Sequence, residues 1–404
     1  MNLRLGYLVP EFPSQTHVFF WREIQALRRL GAQVFPLSTR KPSPMICRHE
    51  FATTAVSETH YIFPPAVADL FAWRIMAGGN LGRAIKYLNE LEPVGFKNSL
   101  RRYALVTSAV DLVSWARRQN IDHVHAQSCA DAAHVLAMAR LMGGPPYSVT
   151  LHGDLEVYGA DQRSKMREAA FVCVVGNHLR RQVIERVGIN ADRILVTSMG
   201  LDTAELASFG QNRSYTPGTL HIATVARLHA AKGHLHALAA MHAGLQSGLN
   251  LHYTIAGEGP FRDAINLRVQ ELGLEGRVTV TGTLSEIEVF ELLSKVDTFL
   301  LPSTGLGEAW PVSVMEAMSA GLPVIASEIG ATPEMITPGK DGFLVHQGDE
   351  QAILEKISLL AHNVDVRRRI GEAGRRTAQE RFDIAGTVNK LRDTIERSLG
   401  PGHR

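Results

Sequence analysis

Twelve short apolar segments recur along this 404-residue chain, and stretches of helical period separate them. In the first half they are 3–9, 32–38, 122–126, 147–152, 171–175 and 193–198. In the second half they are 220–226, 251–257, 277–282, 298–303, 323–327 and 342–345. Strands so short and so continuously apolar are typical of parallel sheets that are covered on both faces. The alternation therefore predicts an α/β protein built from strand–helix units.

The chain is too long for one ordinary hydrophobic core, because single cores stop growing beyond about 250–300 residues. A stretch rich in Gly, Ser, Asn and Pro at 206–219 lies between the two sets of strands, which is typical of a linker. We therefore predict two domains, at 1–205 and 220–380, each a stack of strand–helix units.

The composition is that of an ordinary globular protein, with 45% apolar residues, 20% charged residues and a net charge of +2. A charge so close to zero gives no reason to expect a nucleic-acid partner. Cys47, Cys129 and Cys173 are few and widely spaced, which favours a reducing cytoplasm over a disulfide framework. The first residues indicate a strand and not a signal peptide, and no apolar run reaches the roughly 18 residues of a membrane span.

Residues 60–118 interrupt this rhythm with a stretch that we predict to be a helical insert. Its aromatic residues stand beside basic ones, which are Lys97, Arg101, Arg102, Arg117 and Arg118. A basic amphipathic helix can lie on an anionic membrane surface. The alternative is an insert that packs on its own domain, which is the commoner use of amphipathic helices.

Two glutamates, Glu308 and Glu316, stand eight residues apart around the start of a predicted helix. Pro311 suits the first turn of that helix, because the N–H that it lacks would have no partner there. Gly321 suits the position just past the helix end. Glu308 then lies in the loop after the strand at 298–303, at the sheet edge where open parallel sheets bind ligands.

The chemistry of this segment suits a ligand that carries both phosphate and hydroxyl groups. Free N–H groups at a helix start attract anions. Carboxylates beside them accept strong, directional hydrogen bonds from hydroxyls. Taken alone, the pair is equally compatible with such a ligand site and with the alternative, in which Glu308 is a solvated loop residue and Glu316 an exposed helix residue.

Further motifs occur along the chain in a definite order. They are LHGD (151–154), SMGLDTAEL (198–206), ATVARLHAAKGH (223–234), IAGEGPFRD (255–263), VTGTLSEIEVFELLSKVDTFLLPS (280–303), the E-x7-E segment from Glu308 to Glu316 with AMSAGLPVIAS after it, and GRRTAQERFDIAGTV (374–388). This ordered set resembles the retaining glycosyltransferases of family four, and among them bacterial exopolysaccharide enzymes of the colanic-acid type. The resemblance covers most of the chain.

The resemblance implies the GT-B fold, in which two Rossmann-like, doubly wound α/β domains face a cleft. The domain at 1–205, with its insert at about 60–118, would bind the acceptor. The domain at 220–380 would bind the nucleotide sugar, and a C-terminal helix at 381–404 would pack back on the N-terminal domain.

The resemblance also implies roles for charged residues. Arg227 and Lys232 would contact the donor diphosphate and, with the helix start, stabilise it as it leaves. Glu316 would hold the ribose hydroxyls, and Glu308 would contact the donor sugar near the reacting carbon. The sequence has no D-x-D triplet, the usual divalent-metal signature of the other major glycosyltransferase fold, so neither a metal nor a cofactor is expected.

Two further loops are expected at the nucleotide. Gly257, Glu258 and Gly259 would form a loop of close approach, because glycine lets a backbone come near a ligand. Thr283 and Leu284 follow the next strand and would border the base.

The remaining donor contacts fall at a helix start and at a strand end. Trp310, with Ala309 beside it, replaces a Gly-Phe-Gly-like stretch of many relatives and would narrow the sugar pocket. The backbone at Pro311 and Val312 would face the diphosphate, with one amide donor removed by the proline. His152, at the end of a first-domain strand, resembles the histidine that touches the donor sugar, and as a neutral imidazole it would donate to a sugar hydroxyl.

The loop after the first strand departs from the family, because many relatives have a glycine-rich loop where this chain has PEFPSQTHVF at 10–19. The residues expected to line an acceptor site there are Ser14, Gln15, Thr16 and His17. His123 and His125 have the spacing of strand neighbours on one face, but a zinc site would need a third ligand that the sequence does not provide.

We therefore expect a retaining hexosyltransferase. It would move a sugar from a UDP- or GDP-linked donor to a hydroxyl of a glycan or lipid-linked acceptor in bacterial surface polysaccharide synthesis. It would act in the cytoplasm, with peripheral attachment at the inner face of the membrane as one option. The alternatives are a sugar-nucleotide epimerase or phosphorylase of the same fold, and a non-catalytic subunit of a polysaccharide assembly complex.

Overall fold

The computed structural model describes residues 3–15, 17–43, 47, 49–64, 80–210, 215–305 and 308–400. Within them the chain forms two parallel sheets, one in each of two compact units. The second unit is Met199–Ile384, and the first unit comprises the chain before it and the chain from Ala385 onward.

The first unit is built on a sheet of seven described strands. They are β1 Arg4–Leu8, β2 Gln33–Ser38, β3 His60–Tyr61, β4 His123–Ala126, β5 Tyr147–Leu151, β6 Phe171–Val174 and β7 Ile194–Val196. All neighbours are parallel, in the order β3-β2-β1-β4-β5-β6-β7. The order reverses between β1 and β4, where Leu5 pairs with Val34 on one side and with His123 on the other. Open α/β sheets bind ligands at such a switch point.

Helices cover both faces of this sheet. They are α1 Val18–Arg29, α2 Ala52–Glu58, α3 Asn80–Asn89, α4 Phe96–Arg118, α5 Asp131–Leu141, α6 Gln162–Arg167 and α7 Asn177–Gln182, with a π turn at Val183–Val187 and 3-10 turns at Leu155–Tyr158 and Ala191–Arg193. In α1, Phe20, Ile24 and Leu27 recur at helical spacing and are buried, so the apolar stripe in the sequence is the face that packs.

The second unit is built on six strands. They are β8 Thr219–Val225, β9 Asn250–Ala256, β10 Val278–Gly282, β11 Thr298–Leu301, β12 Val324–Ser327 and β13 Phe343–Val345. All neighbours are parallel, in the order β10-β9-β8-β11-β12-β13. This is the doubly wound arrangement with its switch point between β8 and β11.

The remaining described helices run from residue 203 onward, and all but the last belong to the second unit. They are α8 Thr203–Phe209, α9 His234–Gln246, α10 Arg262–Glu271, α11 Glu286–Lys295, α12 Val312–Ser319, α13 Thr332–Met335, α14 Glu350–His362, α15 Val364–Arg381 and α16 Ile384–Leu399, with a 3-10 turn at Ala230–Lys232. Leu238 and Met241 of α9 pack with Ile255 of β9 and Ile353 of α14 in one buried cluster. α16 groups with the first unit from Ala385 onward.

All twelve strands expected from the sequence are confirmed, and both sheets are parallel as predicted. β3 is absent from the prediction, because two residues are too short for a periodic pattern. It lies inside the region expected to be a helical insert at 60–118, of which 65–79 are outside the described residues. α3 and α4 complete that region.

The two halves of α4 differ in burial. Between Val106 and Ala116 most residues are buried in the first unit, as expected of an insert that packs on its own domain. The first half leaves Phe96, Leu100 and Tyr103 exposed, by 85%, 65% and 45%. Among the described helices, none combines the length and apolar character needed to cross a bilayer.

The boundary between the two units lies at Met199, which is earlier in the sequence than the linker expected at 206–219. α8 begins after Asp202, whose carboxylate accepts from the Glu205 N–H (2.9 Å), and it packs on helices of the second unit. Arg367, which is wholly buried, donates to the Thr216 carbonyl (3.1 Å). This hydrogen bond fixes the backbone at 215–219, the described part of the expected linker after residue 210. A turn-rich composition predicts irregular backbone, but it does not reveal a buried arginine from a distant helix.

Candidate functional site

Two loops at the switch point of the second sheet bring a lysine and a glutamate into contact. Lys232 follows β8 and Glu308 follows β11, the two strands between which the strand order reverses. The Lys232 ammonium forms an ion pair with Glu308 Oε1, and Ser303 Oγ donates to the same oxygen (3.1 Å). The lysine and glutamate side chains are 17% and 7% exposed, so the pair is largely removed from water.

This contact depends on backbone positions that require glycine. Gly233 has a φ of +68°, and a Cβ there would overlap the carbonyl oxygen of Pro302. The Thr304 N–H donates across the same contact to a carbonyl of the loop after β8 (2.8 Å). Gly330 has a φ of +55° and passes equally close to the carbonyl of Glu308. The loops that carry the ion pair therefore pack backbone against backbone.

The electrostatics of the pair favour a polyvalent anion. Burial, and then the nearby Arg227 guanidinium, lower the pKa of the Lys232 ammonium to about 8, a shift that its contact with Glu308 opposes. Arg227 itself is exposed. Because two neighbouring cations repel each other, an anion bound between them would relieve that repulsion.

The loop after β9 makes the close approach that its glycines predict. Gly257 and Gly259 have φ values of +149° and +155°, and a Cβ on either would overlap a carbonyl oxygen in the loop after β8. The Leu228 N–H donates to the Glu258 carbonyl (2.9 Å). The Glu258 side chain forms a half-exposed ion pair with Arg262. Loop-to-loop packing thus requires these glycines, whether or not a ligand approaches them.

The remaining donor residues expected in the second unit lie on its carboxyl edge or on α12. Thr283 and Leu284 follow β10 and are half-buried. Pro311 is the N-cap of α12 and Val312 is its first residue, so the helix start is where the sequence predicts it. Glu316 lies in the second turn and is 7% exposed.

Trp310 takes a different position from the one expected of it. Its indole is 8% exposed, its Nε1–H donates to the sulfur of Met315 (3.0 Å), and its ring meets Phe382 edge-on at 5.9 Å. Ala309 is buried beside it. These contacts place the indole in the core of the second unit, where it holds the loop of Glu308 on α12 and α15.

His152 follows β5 in the first unit. Its Nε2 lies 2.7 Å from Gln127 Oε1, and its backbone N–H donates to Tyr158 Oη (2.7 Å). Burial, and to a smaller extent the nearby His17, lower the pKa of the imidazole to about 3. The ring is therefore neutral near pH 7.

The loop after β1 carries the residues expected to bind the acceptor. The His17 N–H donates to the Ser14 carbonyl (3.0 Å), and burial lowers the pKa of the His17 ring to about 4. Gln15 Nε2 lies 3.2 Å from His49 Nε2. Thr16 is outside the described residues. These contacts join the loop to itself and to the segment after β2.

A cavity of about 600 Å³ lies at the carboxyl edge of the first sheet. Pro10 and Glu11 contribute to it from the loop after β1, whereas the expected acceptor residues do not line it. Its apolar wall includes Ile62, Phe63, Leu105 and Val135. Its rim carries two ion pairs, Glu11 with Arg40 and Arg101 with Asp131.

His123 and His125 form hydrogen bonds inside the first unit. Both are buried, and both contact the Ser148 hydroxyl, at 2.8 and 2.7 Å. The second ring nitrogen of His125 lies 2.9 Å from Thr150 Oγ1. Within the described ranges there is no cluster of three or more His, Cys, Asp or Glu side chains that could hold a metal ion.

Gln127, the partner of His152, also donates to Glu23 Oε1 (2.8 Å), and Tyr7 Oη donates to the same oxygen (2.7 Å). The sequence prediction does not include Ser303, Gln127, Tyr7 or Glu23. Ser303 and Gln127 each stand just past a strand at a switch point, and that position is the signal that could have found them. Tyr7 lies inside an apolar strand and Glu23 inside an amphipathic helix, where a local pattern gives no such signal.

Two family models match the chain. One described as Glycosyltransferase Family 4 matches residues 17–205. One described as Glycosyl transferases group 1 matches residues 214–377, which include the Lys232–Glu308 pair.

Curated relatives match part of the chain. A protein named as a colanic acid biosynthesis glycosyltransferase of Escherichia coli K12 is 31% identical over 179 residues, 43% of this chain and 44% of the relative. The amylovoran biosynthesis glycosyltransferase of Erwinia amylovora is 31% identical over 215 residues, 52% of each protein. The matched segments thus span about half of the length of these relatives.

Solved structures share the fold over nearly the whole chain. The Anabaena protein Alr3699/HepE in complex with UDP has a TM-score of 0.72 and covers 98% of this chain and 100% of its own, at 17% identity. At that identity the likeness concerns the fold alone. With the two parallel-sheet units, it confirms the expected GT-B fold.

Proposed function

This chain belongs to glycosyltransferase family 4, and from that premise we propose that it transfers a sugar from a nucleoside-diphosphate sugar to a hydroxyl acceptor, with retention of configuration. The observation that carries the proposal is the buried Lys232–Glu308 pair at the switch point of the second sheet. It puts a cation for a diphosphate and a carboxylate for sugar hydroxyls side by side.

In this proposal donor binding breaks the ion pair between Lys232 and Glu308. The diphosphate instead binds Lys232, together with Arg227 and the N–H groups at the start of α12. Glu308 is then free to accept from a hydroxyl of the sugar, while Glu316 accepts from the ribose. We favour UDP as the nucleotide, because the similar Anabaena protein binds UDP.

The proposed reaction needs no separate carboxylate base. The bond between the sugar C1 and the donor phosphate oxygen breaks, and the nucleoside diphosphate leaves with the electron pair. The acceptor oxygen bonds to C1 on the same face, and its proton passes to the departing phosphate oxygen. The positive charges of Lys232 and Arg227 stabilise the diphosphate as its charge grows.

We propose a growing or lipid-linked glycan of an exopolysaccharide as the acceptor, since the relatives named above belong to colanic acid and amylovoran biosynthesis. The cavity of the first sheet supports this choice, because about 600 Å³ lies within the usual range of small-molecule sites. Its apolar wall suits a pyranose face and its charged rim suits hydroxyls.

We extend the proposal to a peripheral contact with an anionic membrane. Phe96, Leu100 and Tyr103 are exposed at helical spacing on α4, and Lys97 and Arg101 stand next to them. Apolar side chains flanked by cations bind at the interface of anionic bilayers.

Co-sedimentation with phosphatidylglycerol vesicles tests this contact. We expect binding that Leu100→Ser weakens and that phosphatidylcholine vesicles do not support. Leu267→Ser is the matched control, because Leu267 is an exposed leucine of the second unit (57%). Equal binding by both variants and the unmodified protein would exclude this surface.

The transfer itself is tested by nucleotide release from UDP- and GDP-sugars with a mixed glycan acceptor. Lys232→Ala should lower turnover by about a hundredfold or more, the usual loss when an electrostatic contact to a developing charge is removed. Glu308→Gln should also lower turnover, because a neutral amide replaces the charged acceptor of the sugar hydroxyl. Lys295→Ala, at a lysine that is 72% exposed on α11, should leave turnover unaltered. Full turnover in both site variants refutes the assignment.

The same assay separates the alternatives. An epimerase would change the sugar nucleotide without an acceptor, and a phosphorylase would require inorganic phosphate. A non-catalytic subunit would release no nucleotide with any donor. The intact pair at the switch point supports the transferase.

A further inference from the structure

Four polar side chains meet beside the switch point of the first sheet. They are Tyr7 on β1, Glu23 on α1, Gln127 after β4 and His152 after β5. Tyr7 and Gln127 are buried, and Glu23 and His152 are half-buried. Buried polar side chains are costly unless each one is hydrogen-bonded. The donor and the acceptor of each hydrogen bond in this group are therefore tightly constrained.

The hydrogen bonds of this group have only one consistent direction. Tyr7 Oη and Gln127 Nε2 both donate to the same oxygen, Glu23 Oε1, at 2.7 and 2.8 Å. Burial raises the pKa of the Glu23 carboxyl to about 7. Because both donors are at Oε1, the proton of the neutral carboxyl lies on Oε2, and Oε1 accepts in either state.

The orientation of the Gln127 amide fixes the tautomer of His152. With its nitrogen turned to Glu23 and to Tyr7 Oη (2.5 Å), the amide presents its oxygen to His152 Nε2 at 2.7 Å. Because an amide oxygen only accepts, Nε2 must carry the ring proton. The ring is neutral, so Nδ1 carries none.

The ring is also held in place on its other sides. Phe19 and Phe20 lie against it, with centroids at 5.8 and 5.3 Å. Its Nδ1 is buried and has no hydrogen-bond partner within the described chain. The single N–H of His152 is therefore held by Gln127 and points away from solvent.

We propose that Glu23 and Gln127 are positioning residues that hold His152 as the Nε2–H tautomer, with its N–H engaged inside the first unit. The catalytic consequence rests on the proposed function. If His152 touches the donor sugar, as the resemblance implies, it does so as a fixed neutral group that neither protonates the sugar nor donates a hydrogen bond to it from Nε2. This revises the expectation that the imidazole serves as a donor to a sugar hydroxyl.

A pair of variants at one position separates orientation from charge. Glu23→Met has nearly the same length but offers only a weakly accepting sulfur in place of the carboxylate oxygen, so the Gln127 amide can turn over and present its N–H to His152. Nε2 must then accept, and the Nδ1–H tautomer appears. Glu23→Gln keeps an acceptor oxygen and should retain the Nε2–H form. Glu58→Gln is the control, because Glu58 is exposed on α2 and pairs with Arg28.

The tautomer is read by long-range ¹H–¹⁵N correlation spectra of the full chain labelled at histidine, at pH 7.5, with His152→Asn to assign the signal. We expect Nε2–H in the unmodified protein, in Glu23→Gln and in Glu58→Gln, and a mixture in Glu23→Met. Nδ1–H in the unmodified protein overturns the proposal without any variant. If Glu23→Met does not fold, Gln127→Met removes the same constraint and should give the same mixture; an unmixed Nε2–H signal there also overturns it.

Kinetics then test the positioning role. We expect kcat to fall by about tenfold in Glu23→Met, with the KM for the donor within about threefold, and by less in Glu23→Gln. A mixed tautomer with unaltered kcat overturns the role in transfer. If no donor is turned over by the unmodified protein, the proposed function fails, but the tautomer result still decides the hydrogen-bond order.

Discussion

Replacement of Gly233 by alanine tests whether loop packing positions the lysine of the proposed donor site. Gly233 follows Lys232 directly, has a φ of +68°, and leaves no room for a Cβ beside the Pro302 carbonyl. Gly248 is the matched control, since it has a φ of +85° at the other end of α9 and a Cβ added there would meet no atom within 4 Å.

The two variants should differ by the overlap alone. A left-handed φ costs a non-glycine residue about 1–2 kcal/mol, and this applies to both. In Gly233→Ala the loops after β8 and β11 must also separate, which adds about 1–3 kcal/mol of overpacking strain. For a domain of this size about 1 kcal/mol shifts the Tm by about 2–4 °C. The Tm should therefore fall by about 2–8 °C in Gly248→Ala and by up to about 20 °C in Gly233→Ala.

The functional difference should be sharper than the difference in stability. Separation of the loops moves Lys232 away from Glu308, so Gly233→Ala should bind UDP about tenfold more weakly, which corresponds to about 1.4 kcal/mol. Gly248→Ala should bind it normally. Thermal unfolding and calorimetric titration measure the two effects. Equal Tm and equal UDP affinity in the two variants would refute the idea that this packing positions Lys232.

Three further predictions concern stability. Burial lowers the pKa of His123 from 6.5 to about 3. The folded state is therefore destabilised as the pH falls below 6.5, by about 2 kcal/mol at pH 5. Urea unfolding at pH 5 and pH 7 should show that His123→Gln removes this part of the acid sensitivity. Arg367→Met should lower the free energy of unfolding by about 3–5 kcal/mol, because it leaves the Asp297 carboxylate without its cationic partner, whereas the exposed Arg368→Met should change it by less than about 0.5 kcal/mol. Trp310→Phe should lower the free energy of unfolding by about 1–2 kcal/mol and leave the UDP affinity unaltered. Weaker UDP binding with unaltered stability would instead support the expectation that the indole lines the sugar pocket.

The strand–helix alternation was sufficient to predict both parallel sheets, because strands that are buried on both faces carry their burial in their own composition. The segments that became β11 and β12 are buried at every residue. β3 escaped prediction because its two residues owe their conformation to the neighbouring Leu37 and Ser38 of β2, not to a local pattern. The start of the second unit at Met199 depends equally on tertiary contacts.

The candidate site could be predicted in part. Lys232 and Glu308 each follow a strand, so the carboxyl-edge rule places both at one edge of the sheet. Their contact across 76 residues of sequence requires β8 and β11 to be neighbours, and strand order is not written in any local motif. For Trp310 the local sequence is equally compatible with a pocket and with a core, and only its contacts with Met315 and Phe382 distinguish them.

The exchange of Lys232 from Glu308 to a diphosphate is tested most directly by calorimetric titration of UDP into the unmodified protein, Lys232→Met and Glu308→Gln at pH 7.5. The account predicts that Lys232→Met weakens UDP binding by about tenfold or more. Glu308→Gln should bind UDP at least as tightly as the unmodified protein, because the lysine is released from a competing carboxylate. Normal UDP affinity in Lys232→Met, or a loss in Glu308→Gln as large as that predicted for the lysine variant, would contradict the account.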